Sequence, residues 1–331
     1  MVMRTLPFLG KKTNYDETLA RQLLNMAAGA YGDQQEACLN VTFPSHDSHV
    51  LLLTTKEQCD HLGNTCEGYI AASEAKKRLT VVYRGTKTKG QLLLEGVQSV
   101  QPGIDFFGMG IVNRYFINAH LKLWSSVEKL LMDPIYKDYQ IVFTGHSLGG
   151  ALAALAAART AKQNYRSGDQ LIIYTFGEPR VGDVNFATSF DSMIPNRYPD
   201  SMEPGSYYME CVGEPKGEDF TCSDKIKFYY DQSNSYIWDH RHYFTVRVPE
   251  YGKTGCDLEK PEGKASVLEQ VMCFLSPSPE CEEHKATPTK RTAVVPPEVF
   301  SEPPSVVNKS TSSKKTLPFF VSTIISFFKG R

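Results

Sequence analysis

Apolar positions along the 331-residue chain follow two rhythms. Short runs of β-branched and aromatic residues stop abruptly at glycine. Between them lie longer stretches whose apolar side chains recur at three- and four-residue steps. "ETLARQLLNMAAGAY" (17–31) and "GIVNRYFINAHLKLWSSVEKLL" (110–131) have the second rhythm and read as amphipathic helices. "RLTVVYRGT" (78–86), residues 140–144 and "LIIYTFGEP" (171–179) read as strands, and 149–163 and 186–194 as further helices. Strands alternating with helices predict an α/β fold, a mostly parallel central sheet with helices on both faces. The pattern breaks near residue 276, where Pro, Ser, Thr and Lys take over. The expected organisation is a globular domain over 1–275, a disordered linker over 276–316 and a short apolar tail over 317–331. The apolar run in that tail, "TLPFFVSTIISFF" (316–328), is too short to span a bilayer as a helix.

Composition narrows the chemistry. A formal net charge of −1 gives no electrostatic footprint for nucleic acid. Eight cysteines, an even number, sit outside the apolar strands and without any C-x-x-C pair. That usage favours disulfides and an oxidising compartment over a zinc module, although spacing alone selects no pairing. Asn40-Val41-Thr42 and Asn308-Lys309-Ser310 are glycosylation acceptors of the same leaning. The opening "MVMRTLPFLGKKTNYDE" has no apolar core of leader length: either the true start lies outside this sequence and the protein is secreted, the expectation adopted, or the cysteines are free and the compartment is cytosolic.

The densest chemical signal is "IVFTGHSLGGALAALAAART" (141–160). A strand must turn into a helix within about three residues here, which forces the central residue of Gly145-His146-Ser147-Leu148-Gly149 into a strained conformation. Gly145, Gly149, Gly150 and Ala151 are small enough to let strand and helix approach. Such a turn presents the Ser147 hydroxyl outward, beside the N–H groups of a helix N-terminus that suit a developing oxyanion. Thr86, just past a strand end, can also present an N–H and a hydroxyl at the rim. In this architecture the acid and then the histidine follow the serine, leaving His240, His242 and His284. His284 falls in the linker. His240 and His242, two apart in an extended segment, face opposite ways, so one of them can reach the serine. No third ligand accompanies them, so neither a metal nor another cofactor is expected.

"VVYRGT", "VFTGHSLGGALAALAA", "YTFGEPRVGD" and "DHRHYF" occur in the order and spacing of fungal-type (class 3) lipases, which the chain resembles over roughly residues 30–255. The resemblance implies the α/β-hydrolase fold and hydrolysis of acylglycerol-like lipid esters through an acyl-serine, at a lipid–water interface. It implies Ser147 as nucleophile, Leu148 and Thr86 as oxyanion donors, and His240 as base. Arg84 and Arg180 lie in matched motifs and are expected in structural salt bridges. "KTKGQLLLEGVQSV", with Leu92-Leu93-Leu94, is either a lid or buried core.

One part of the pattern is lacking. Family members carry another strand and a D-x-V-P turn, with the catalytic acid, after the helix 186–194. Here "PNRYPDSMEPGSYYMEC" follows instead. The expectation is a sheet that has lost one strand near residue 196, with Asp200 as stand-in acid and Asp191, Asp183 and Glu203 as its competitors. Without an orienting carboxylate a triad can lose on the order of 10⁴ in turnover, so the alternative expectation is a catalytically impaired lipase-like protein, lipid-binding or a truncated isoform.

Overall fold

The strands read from the sequence form the middle of one six-stranded sheet in the computed structural model, which describes residues 16–61, 63–86, 102–194, 197–198 and 240–259. The chain begins with helices α1 (Glu17–Gly29) and α2 (Gln35–Thr42), followed by strands β1 (Val50–Gln58), β2 (Thr65–Ser73) and β3 (Arg78–Tyr83). A small hairpin, β4 (Ile104–Asp105) and β5 (Ile111–Val112), leads into α3 (Arg114–Met132). Then come β6 (Gln140–His146), α4 (Leu148–Lys162), β7 (Leu171–Phe176), α5 (Val184–Met193) and β8 (Arg197–Tyr198). A last unit contains β9 (His242–Tyr243), β10 (Val246–Arg247) and α6 (Val248–Lys253).

The sheet order is β1-β2-β3-β6-β7-β8. From β3 to β8 every pairing is parallel, whereas β1–β2 and β2–β3 are antiparallel. The sheet is therefore mixed, and the antiparallel edge was not legible in advance. "VLLLTTKEQ" turns polar along its length because β1 is an edge strand, exposed over much of its far half. The helix expected from residue 110 starts at Arg114 instead, because Ile111 and Val112 pair with Asp105 and Ile104. Asn113 then caps it, its side chain accepting from the Tyr115 N–H.

Alternate residues of the central strands feed two cores. Leu79, Val81, Tyr83, Ile141, Phe143 and Ile173 pack with α3 and α4. Val82, Val142, Ile172, Tyr174 and Phe176 face α1 and the unit around Tyr243 and Tyr251. Both faces are covered, as the rhythm predicts. Helix α4, "LGGALAALAAARTAK", is buried nearly all round and has no polar face to declare.

Two disulfides are formed, Cys38–Cys256 and Cys59–Cys66, and no described cysteine is free. The first ties α2 to the turn after α6; the second closes the β1–β2 hairpin. Cys211, Cys222, Cys273 and Cys281 lie outside the described residues. So do both expected boundaries beyond residue 275, the segment with Leu92-Leu93-Leu94, and the glycosylation acceptor at Asn308. Where a lost strand was expected near residue 196, two residues of strand do pair with β7: Ile173 opposite Arg197 and Tyr174 opposite Tyr198. The expectation of an absent strand is corrected to this extent: a strand pairs there, described at Arg197–Tyr198. Among the described residues no helix is long and apolar enough to cross a membrane.

Candidate active site

Ser147 sits between β6 and α4 with φ 60° and ψ −128°, a conformation that costs a non-glycine residue strain. Neighbouring backbone over-determines it. The Ser147 N–H donates to the Phe176 carbonyl at 2.8 Å, and the Ser147 carbonyl accepts from the Gly150 N–H at 2.8 Å. A Cβ on Gly145 would lie 2.3 Å from the Gly149 carbonyl, and one on Gly149 would lie 2.2 Å from the Tyr83 oxygen. Only glycine fits at either place, so strand, turn and helix are pressed together as the sequence requires.

His240 brings its Nε2 to 2.8 Å from Ser147 Oγ. Burial, helped by the nearby Arg241 charge, lowers its pKa to about 4, so the imidazole is neutral at pH 7 and free to accept a proton. His242 lies on β9, opposite Arg247. His284 lies outside the described residues.

The other nitrogen of His240 is the odd feature. Nδ1 is buried, and among the described residues nothing hydrogen-bonds it. It lies against Gly177 (φ 59°), where a Cβ would come within 2.7 Å of it. Asp183 is occupied elsewhere: it caps α5, Oδ1 accepting from the N–H groups of Phe186 at 2.9 Å and Ile111 at 3.2 Å. Asp191 belongs to α5, on the far side of that cap in sequence. Asp200 and Glu203 lie outside the described residues. Among the described residues, then, no carboxylate orients the base.

A second histidine, to which the sequence motif assigns no role, does contact the base. His146, the last residue of β6, is buried and bonds the His240 carbonyl through Nε2 at 2.7 Å and the Tyr31 hydroxyl through Nδ1 at 2.7 Å. A carbonyl can only accept, so Nε2 carries the proton and Nδ1 accepts from Tyr31. Burial holds His146 well below the ordinary histidine range, which keeps it in that neutral form.

The oxyanion candidates stand where a strand end and a helix start meet. Leu148 is the first residue of α4, whose leading N–H groups have no carbonyl one turn back. Thr86 follows Gly85, and a Cβ on Gly85 would lie 3.1 Å from the Ser147 Cβ. Arg84 takes the structural role expected of it, pairing with Glu67 and donating to the Thr65 carbonyl. Burial alone would raise the Glu67 carboxyl, but the Arg84 and Thr65 hydrogen bonds bring it down to about 2. Arg180 is exposed on the turn after β7. Glu178, beside Gly150 at the start of α4, is raised to about 7 by burial despite a bond from Thr175. No cluster of metal-ligating side chains is found among the described residues.

Comparison with known proteins agrees with this geometry. The family model described as "Lipase (class 3)" matches residues 80–202. Lipase ZK262.3 of Caenorhabditis elegans is 37% identical over 311 aligned positions, covering 78% of this chain and 88% of the relative. That alignment is longer than the part of this chain it covers, so the relative has stretches with no counterpart here. A lipase of Rhizomucor miehei is 28% identical over 121 residues, 36% of this chain and 33% of the relative. Among solved structures, a fungal lipase–inhibitor complex superposes with a TM-score of 0.55 at 20% identity, over 70% of this chain and 96% of its own. A lipase from Rhizopus microsporus var. chinensis does so with 0.52 at 24%, over 75% and 96%. These likenesses establish the α/β-hydrolase fold.

Proposed function

The chain belongs to the class 3 lipase family, and from that premise we propose that it is a serine carboxylic-ester hydrolase acting on acylglycerol-type lipid esters. The observation that carries this reading is the 2.8 Å contact between His240 Nε2 and Ser147 Oγ on a strained elbow. His240 takes the Ser147 proton as Oγ attacks the ester carbonyl carbon. The negative charge that develops on the carbonyl oxygen is received by the Leu148 N–H and by Thr86. His240 then gives its proton to the departing alkoxide, leaving an acyl-serine. Water, deprotonated by the same imidazole, hydrolyses it and frees Ser147. No step requires a cofactor or a metal.

As base, His240 needs its proton on Nδ1 and its lone pair on Nε2, and it then carries a positive charge in a buried place. Among the described residues nothing accepts from Nδ1. A base held by these residues alone favours neither that tautomer nor the imidazolium, and on this reading turnover is expected about 10³–10⁴ below that of a complete triad. Activity nevertheless remains measurable over water. Secretion is supported by the two disulfides and by likeness to a secreted mono- and diacylglycerol lipase of Gibberella zeae, 30% identical over 123 residues. A lipid–water interface is the working environment that fits such a substrate.

Reaction of the purified protein with a fluorophosphonate probe tests the reading. Labelling that disappears in Ser147→Ala, with hydrolysis of short and long p-nitrophenyl esters beside it, is the expected result. Folded protein that neither labels nor hydrolyses overturns it.

A further inference from the structure

Ser147 and His240 are 93 residues apart in sequence, yet both are held by one strand end. His146 precedes the nucleophile directly and reaches across to the main chain of the base, with the two imidazole rings 4.9 Å apart. We propose that His146 is the positioning residue of this site: its Nε2–H grips the His240 carbonyl and thereby sets where the His240 ring stands against Ser147. The inference rests on the hydrolase reading and adds to it a residue that never touches substrate.

Three observations converge on this role. Among the described residues nothing bonds Nδ1 of the base, and its side chain is hydrogen-bonded at the serine end. The His146 side chain bonds the His240 carbonyl at 2.7 Å, a polar contact that runs from the central sheet to that residue's backbone. Finally, Tyr31 selects the tautomer that makes the grip possible, since its hydroxyl donates to Nδ1 and so leaves the proton on Nε2. Room for this arrangement is kept by Gly85, where a Cβ would lie 2.0 Å from the Tyr31 oxygen and 2.4 Å from the His146 carbonyl oxygen. A packing residue would need the ring's shape; a positioning residue needs one particular donor.

That distinction can be measured with two amides. In His146→Gln the amide nitrogen reaches the place of Nε2 and keeps a donor for the His240 carbonyl, while the bond to Tyr31 is lost. In His146→Asn the amide oxygen takes the place of Nδ1, so Tyr31 keeps its partner and the carbonyl loses its own. Misplacement of a catalytic group by about 1 Å costs on the order of 10²-fold. The Asn variant is therefore expected to lose about 10²-fold in kcat with KM unchanged, while the Gln variant stays within about threefold of wild type. An Asn variant as fast as the Gln variant overturns the proposal. If neither folds, Tyr31→Phe decides: a fall in kcat at constant KM supports the grip, and an unchanged kcat overturns it. The ring resonances of His240 give a reading that needs no turnover, and they should move in the Asn variant and hold in the Gln variant. Loss of wild-type labelling at Ser147 would count against the hydrolase reading alone.

Discussion

The two halves of the site are built in different ways. Ser147 stands at the centre of the sheet, between β6 and α4, and its conformation is fixed by backbone packed tightly around it, from its own turn and from the ends of β3 and β7. His240 stands at the start of a short unit whose strands are two residues each, β9 and β10. Within that unit Arg241 and Arg247 both pair with Glu250, at 2.6 and 3.1 Å. Long-range contacts tie it to the rest of the fold: the Arg21 guanidinium lies 4.2 Å over the Phe244 ring, and Cys256 is bonded to Cys38. Local steric necessity fixes the nucleophile, whereas a few separable bonds fix the base. The nucleophile half should therefore fail only when its backbone is forced apart, and the base half when one distant tie is cut.

The largest effect is chemical. Ser147→Ala should remove what remains of the triad's contribution, a further fall of about 10²–10³-fold in esterase turnover, and abolish fluorophosphonate labelling, while leaving the unfolding temperature close to wild type, as steady-state rates and a thermal melt will show.

Cutting the tie on the other half comes next. Cys38–Cys256 closes a loop with a sequence separation of 218. Losing a closure of that length costs up to about 5 kcal/mol, against about 2.5 kcal/mol for the seven-residue Cys59–Cys66 loop. Cys38→Ser should thus destabilise more than Cys59→Ser in denaturant titrations and should also lower kcat. The opposite ranking would mean that the base does not depend on this tie.

Forcing the elbow apart is the smaller structural insult. Gly149→Ala places a methyl 2.2 Å from the Tyr83 carbonyl oxygen, which neither backbone can escape cheaply. An overpacking cost of about 3 kcal/mol is expected, seen as a lower denaturant midpoint, with esterase activity lost in the protein that still folds.

Acid should weaken both halves gradually. His240 titrates at about 4 and His120, fully buried on α3, at about 3, each lowered chiefly by burial. Below the ordinary histidine value of 6.5 the unfolded chain binds protons that the folded chain refuses. Stability is therefore present above pH 6.5 and declines as pH falls, by about 1.4 kcal/mol per pH unit for a fully buried histidine such as His120. Glu67, at about 2 when folded, adds in the same direction below its ordinary 4.5. Thermal melts from pH 7 to pH 4 check the slope. The acid limb of kcat/KM should fall near pH 4 rather than 6.5, because His240 stays neutral down to that point.

What could be read from the residues alone was whatever is decided within one turn of chain. The elbow belongs to that class: strain at Ser147 and the glycines on either side follow from how fast a strand must become a helix. The central strands and the helices over α1, α4 and α5 do too, since each carries its own period. His240 was separable from His242 only through the resemblance to a family, because an extended pair says that one histidine faces the site without saying which. Other features depended on the assembled molecule. The antiparallel edge made by β1 and β2 has too weak an alternation to declare itself. The start of α3 was moved by a hairpin partner. The bond from Tyr31 to His146 joins residues 115 apart, and no spacing rule reaches that far. A base steered through its own carbonyl exists only once the sheet has brought β6 to the unit that carries His240. Hydrogen bonds between distant segments depend on where each segment is carried by the core, and that position is a property of the whole packing rather than of any stretch of sequence.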